Sequence, residues 1–223
     1  MFLYAALGMA FFLVAYQLQV AAGWSALSAG LALLPTTALM LILSARSGAL
    51  AQRIGPRLQL TVGPLLAAAG LVLLARIDSQ ASWAVDVLPG ALLFGVGLVT
   101  LVAPLTATVM AAADADHVST ASGVNNAVAR AAGLIALAVV PVVAALPAAT
   151  TAAEVTESYR TALVIAAGLA VAGGLVMSVG LAPHLRLPRI VRRLHCAVDG
   201  PPLQPDPDRR PAPGGNMAEV GVR

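Results

Sequence analysis

Between Met1 and Ala45 the chain carries no charged side chain, and that silence constrains its fold more than any motif does. Arg46, Arg53 and Arg57 then arrive close together. Further uncharged runs separate Arg57 from Arg76, Asp86 from Asp114, Arg130 from Glu154 and Arg160 from Arg186. A run of roughly 18 or more apolar residues can cross a hydrocarbon core about 30 Å thick. Only 10% of the residues are charged and 59% are hydrophobic. A soluble domain carries about a quarter charged residues, so this chain lacks the polar surface to face water all round. It reads as an integral membrane protein. The runs do not alternate apolar and polar at every second residue, which excludes a transmembrane barrel.

Charges, glycines and prolines divide residues 1–182 into six expected helical spans, at about 2–21, 27–46, 58–76, 86–110, 120–146 and 160–182. Pro35, Pro64, Pro89, Pro104 and Pro141 fall within or near them. In a membrane bundle, neighbouring helices can satisfy the carbonyls a proline frees, so kinks are expected rather than helix ends. Residues 183–223 differ. "HLRLPRIVRRLH" is basic and suited to anionic lipid, and "PPLQPDPDRRPAPGG" cannot build a core, so this segment reads as a disordered tail.

Arginine gathers in cytoplasmic loops. The connection after the second span holds Arg46, Arg53 and Arg57, and the segment after the sixth holds Arg186, Arg189, Arg192 and Arg193. An even number of spans separates them, so they share a side and both termini are expected in the cytoplasm. Tyr16, Trp24, Trp83 and Tyr159 fall at the three opposite connections, where amphipathic rings favour the interface. All 13 basic residues are arginine, a usage that fits a GC-rich genome and a bacterial plasma membrane.

Several function classes drop out. Basic residues form no stripe interleaved with aromatics, so nucleic acid is not an expected partner. The single cysteine, Cys196, offers neither an intramolecular disulfide nor a metal cluster. No phosphate-binding glycine loop, metal-ligand spacing or catalytic triad is present, so no cofactor and no enzymatic activity are expected. The opening residues lack the positive n-region of a secretory signal.

The stretch "GALAQRIGPR" carries Gly48, Leu50, Ala51, Arg53, Gly55 and Arg57 in the spacing of a short cytoplasmic signature, G-x-L-A-D-R-x-G-R-R, between the second and third helices of a six-helix unit. In this the chain resembles half of a major facilitator superfamily transporter. "YQLQVAAGWSALSAGLALLP" (residues 16–35) and "ASGVNNAVARAAG" (residues 121–133) are similar to the C-terminal six helices of the fourteen-helix drug:proton antiporters. That resemblance implies an all-α membrane fold of two three-helix inverted repeats. It also implies efflux of small amphipathic substrates, possible coupling to protons, and a partner that is either an N-terminal half or a second copy. On that reading, the family's preceding eight helices and their coupling acids lie outside this chain. Gln52 stands where the signature has its acid, and Pro56 replaces a basic residue, so the coupling mechanism does not transfer residue by residue. A six-helix interaction or regulatory protein, or a fragment of a split transporter gene, is the alternative.

Candidate sites follow from polarity inside apolar spans. Arg130 either snorkels outward, pairs with Asp114 or Asp116, or faces a substrate path, with Asn126 four residues earlier on the same face. Asn125 and Asn126 either bond between helices or line that path. Gln17 and Met40 are further path candidates, Gln17 close to the interface. Gly48, Arg53, Gly55 and Arg57 form either a gating latch or a simple topology anchor. Asp114, Asp116 and His117 read as a solvated loop.

Overall fold

A single glycine joins the two helices that the charged stretch was expected to separate. In the computed structural model, which describes residues 1–111 and 117–180, α3 (Leu34–Ile54) runs past Arg46, Gly48 and Arg53 without a break. α4 (Pro56–Leu74) then starts one residue later. Gly55 has φ 84° and ψ 154°, a region open to glycine and closed to side chains with a Cβ. Pro56 follows at the first helical position, where its missing N–H costs nothing and its fixed φ suits the helix. The second span therefore extends well beyond the expected end at 46.

The other spans lie close to their expected places. α1 is Phe2–Val20, and a short α2 (Ala26–Ala32) leads through Leu33 into α3. A π-helical turn at Trp83–Val87 opens α5 (Leu88–Ala111), and α6 is Val118–Val143. α7 (Ala152–Gly180) begins earlier than expected, because Thr151 and Glu154 build a capping box. Thr151 Oγ1 accepts from the Glu154 N–H, while Glu154 Oε2 accepts from the Thr150 and Thr151 N–H groups at 2.7 and 3.1 Å. Six helical segments are long and apolar enough to cross a membrane, so this is a multi-pass membrane protein. The expected tail at 183–223, and Asp114 and Asp116, lie outside the described residues.

Packing reveals an internal symmetry. α4 lies along α5 and α7, α7 also lies along α1, α3 rests on α5, and α6 rests on α1. Exchanging the first three spans for the last three (α1 for α5, α3 for α6, α4 for α7) reproduces the same set of neighbours. Three crossings separate each helix from its counterpart, so the two repeats are inverted, the architecture of half a facilitator fold. Small residues allow the closest approaches. A Cβ added at Gly97 would collide with the Ala67 backbone, and one at Gly70 with that of Phe94, so α5 and α4 meet backbone to backbone.

Polar joints fix the ends of this framework. Where α4 ends, the Arg76 and Ile77 N–H groups turn back onto Leu73 O and Leu74 O, and side chains of other helices add further donors. Tyr159 of α7 donates to Leu74 O at 2.7 Å, Arg160 Nε to Ala75 O at 3.4 Å, and Gln17 of α1 to Ile77 O at 3.3 Å. At the opposite end Arg57 of α4 donates to Ser178 O, in the last turns of α7, at 3.1 Å. The antiparallel α4–α7 pair is thereby tied at both ends. The prolines divide by position. Pro64, Pro104 and Pro141 sit inside continuous helices, whereas Pro35 and Pro89 sit at helix starts.

Candidate functional site

The spans differ in how much of themselves they bury. Half of the apolar stretch of α1 and of α4 is buried, against 22% of that in the second and the fifth spans. α3 and α6 thus flank the framework with one face on α5 or α1 and the rest open. Of the polar residues singled out on α6, Asn126 and Arg130 lie on this open side, and Asn125 is half-buried towards α1.

At the start of α6 a cavity of about 470 Å³ is bounded by Val109 of α5 and, among α6 residues, by Thr120, Val124, Asn125 and Val128, with His117 at its rim. Those α6 positions recur at three and four residues, one face of a helix. Asn125 Oδ1 accepts from the Tyr4 hydroxyl of α1 at 3.3 Å, which fixes the amide at the wall. Asn126 and Arg130 are exposed, one turn apart on the next stripe of the same helix. Arg130 stands 12 residues into the helix, about 18 Å along its axis and nearly the same distance from its far end. Among the described residues it has no hydrogen bond or ion pair; the sole ion pair there joins Arg160 to Glu157.

The remaining candidates are elsewhere. Met40 is half-buried against the core on α3. Gln17 is fully buried at the opposite end of α1, where Nε2 donates to Ile77 O and, at 2.8 Å, to Thr156 Oγ1 of α7. Its amide joins three elements and does not approach the cavity beside Asn125. Gly48 and Arg53 belong to α3, Gly55 alone makes the connection, and Arg57 caps α7. Among the described residues no three His, Cys, Asp or Glu side chains are placed to hold a metal.

Residues 1–137, more than half of the chain, match the sequence profile of the Major Facilitator Superfamily. The chain belongs to that superfamily of membrane transporters. It is also similar to the tetracenomycin C resistance and export protein of Streptomyces glaucescens, with 31% identity over 134 residues. The match covers 60% of this chain and 25% of that relative, so the chain spans about a quarter of the length of the protein it resembles.

Several residues that organise this facilitator unit are not evident from the sequence. Tyr159 groups by position with the interfacial aromatics. Instead it is fully buried and satisfies a helix end. Its spacing from Val155, Ala162, Leu163 and Ala166, which are also buried, is the available signal for an inward face. Tyr4 and Thr36 give no such signal. Their partners, Asn125 and the Ala91 carbonyl, come from distant parts of the chain.

Proposed function

We propose that this unit forms one half of an exporter for small amphipathic compounds, operating against a second six-helix unit and driven by protons. The observation that carries the proposal is Arg130, exposed near the middle of α6 without a partner among the described residues. An arginine facing lipid at such depth costs about 2.5–3.5 kcal/mol on insertion scales. That cost vanishes if the open face of α6 lines a water-filled path or meets the other half. Asn126 on the same stripe adds a second polar group, and the neighbouring cavity beside Asn125 is walled mainly by valine and alanine, a combination suited to a substrate with both polar and apolar parts. Export is the direction named for the Streptomyces relative.

The division of labour between halves follows from the carboxylates. Of the 10 in the chain, none lies in the middle of a span, so a coupling acid belongs to the opposing half. The opposing half is an N-terminal six-helix unit or a second copy, and the arginine-rich end is cytoplasmic.

Expression in efflux-deficient bacteria tests this, with retention of a fluorescent amphipathic dye as the readout. The chain paired with an N-terminal half is expected to lower dye retention, and a proton uncoupler to abolish the effect. Arg130→Ala is expected to reduce export at least tenfold, about the factor one such interaction supplies, at unchanged protein abundance. In the same cells Cys196 is expected to escape an impermeant thiol reagent. Full export by an Arg130→Ala pair, or labelling of Cys196 from outside, would sink the respective part of the proposal.

A further inference from the structure

The second span is interrupted, and the interruption has its own hydrogen-bond donor. Pro35 has no N–H, so the Leu31 carbonyl loses its helical partner. The Thr36 N–H bonds to Leu33 O at 3.1 Å instead of reaching back to Ala32, which frees a second carbonyl. Ala32 O is taken up from outside the helix, by Trp83 Nε1 at 3.2 Å. That indole stands at the start of the π-helical turn, where Ser82 N–H donates to Asp86 Oδ2 at 2.7 Å. π-turns of this kind concentrate at places where a helix has to do more than span.

The two sides of the break are held very differently. Immediately beyond it, Thr36 Oγ1 donates to Ala91 O at 2.8 Å in a fully buried joint, and a Cβ at Gly95 would come within 3.1 Å of the Thr36 Cα. α3 is therefore clamped to α5 from its first turn. α2, before the break, buries only Ala29 and Ala32 and leaves Leu27 and Leu31 exposed. Its other end leaves α1 through a turn at Gly23, whose φ of 68° suits glycine. A seven-residue helix thus rests on α1 through Ala29 and Ala32 alone, with Leu33 buried at the break and one indole hydrogen bond across it.

From this we infer that α2 is a hinged lip at the end of the bundle opposite Gly55, swinging about Leu33, with Trp83 as the latch that holds it down. α3 and α5 stay fixed while it moves. This motion requires no transport activity and is independent of export.

Spin-label distance measurements on the full chain in lipid nanodiscs, with Cys196→Ser as background, test it. One pair, Leu27→Cys with Val85→Cys, spans the lip and the latch turn. A second pair, Leu41→Cys with Val96→Cys, spans α3 and α5 below the hinge. Trp83→Phe is expected to raise the displaced population of the first pair about fivefold, the factor that one lost hydrogen bond supplies, and to leave the second pair unchanged. Adding Pro35→Ala restores the helical N–H and is expected to return the first pair to a single distance. Identical distances in the Trp83→Phe protein, broadening of both pairs together, or failure of Pro35→Ala to narrow the first pair would each overturn the inference.

Discussion

Two helix pairs occupy equivalent places in the repeat and are treated in opposite ways. α4 and α7 face each other across the pseudo-symmetry and are joined at both ends by side chains that satisfy helix carbonyls, through Tyr159 and Arg160 at one end and Arg57 at the other. α3 and α6, also equivalent, barely bury themselves, and α6 carries Arg130 on an exposed face near its middle, with no partner among the described residues. In hydrocarbon an unsatisfied polar group costs far more than in water. The first pair is complete within this chain. The second has its requirements unmet, which is the physical content of the proposal that another half covers it.

The contrast breaks most sharply at the glycines. Gly97→Leu would force a side chain into the Ala67 backbone, which cannot move without separating α4 from α5. A loss of about 3 kcal/mol or more is expected, seen as failure to accumulate in membranes or as early unfolding in detergent. A Cβ at Gly123 on α6 meets nothing within 4 Å, so Gly123→Leu is expected to cost no stability and to gain up to about 1 kcal/mol of helix propensity. Equal sensitivity at the two sites would mean that α6 is as enclosed as α5.

A smaller effect separates two tyrosines. Tyr159→Phe removes the shorter of the two hydrogen bonds to Leu74 O, which keeps the Ile77 N–H at 3.1 Å, and should cost about 0.5–1.5 kcal/mol in thermal or denaturant unfolding. Tyr4→Phe gives up a longer, half-buried bond to Asn125, at 3.3 Å, and should cost less than about 0.5 kcal/mol. A Tyr4 variant as damaging as the Tyr159 variant would move the α1–α6 contact into the framework.

The number, type and approximate limits of the spans are legible in the sequence because bilayer thickness imposes a length on every uncharged run. The extension of α3 to Ile54 is not, because arginine is a good helix former and its charge marks the water boundary without marking the end of a helix. Gly55 is among the signature residues, yet only its backbone angles show that it makes the whole connection. At the candidate site, Asn125, Asn126 and Arg130 stand out as polar residues in an apolar run, and the fold gathers them along adjoining stripes of one helix. Gln17 stands out for the same reason but joins α1 to α7 and the end of α4. Polarity alone does not distinguish a residue facing a path from one tying helices together. That distinction depends on which distant carbonyl or hydroxyl lies opposite, and one sequence does not encode that in any local pattern.

The finest test lies where α1 and α6 touch, at Gly8 and Gly133. A Cβ on Gly8 would lie 3.0 Å from the Gly133 Cα, whereas one on Gly133 would come no closer than 3.9 Å to α1 backbone. Replacing a helical glycine by alanine gains about 1 kcal/mol of helix propensity. Gly133→Ala should therefore stabilise the isolated unit slightly, by less than about 1 kcal/mol, because the added methyl makes only ordinary contact. In Gly8→Ala the same gain is offset by the shift of α6, leaving a net change near zero or mildly destabilising. The double variant should fall below the sum of the singles by about 0.5 kcal/mol or more, because residues in contact do not add. Strict additivity in unfolding measurements would show that α6 yields freely at this crossing. The division between a fixed framework and open flanking helices would then begin at α1 itself.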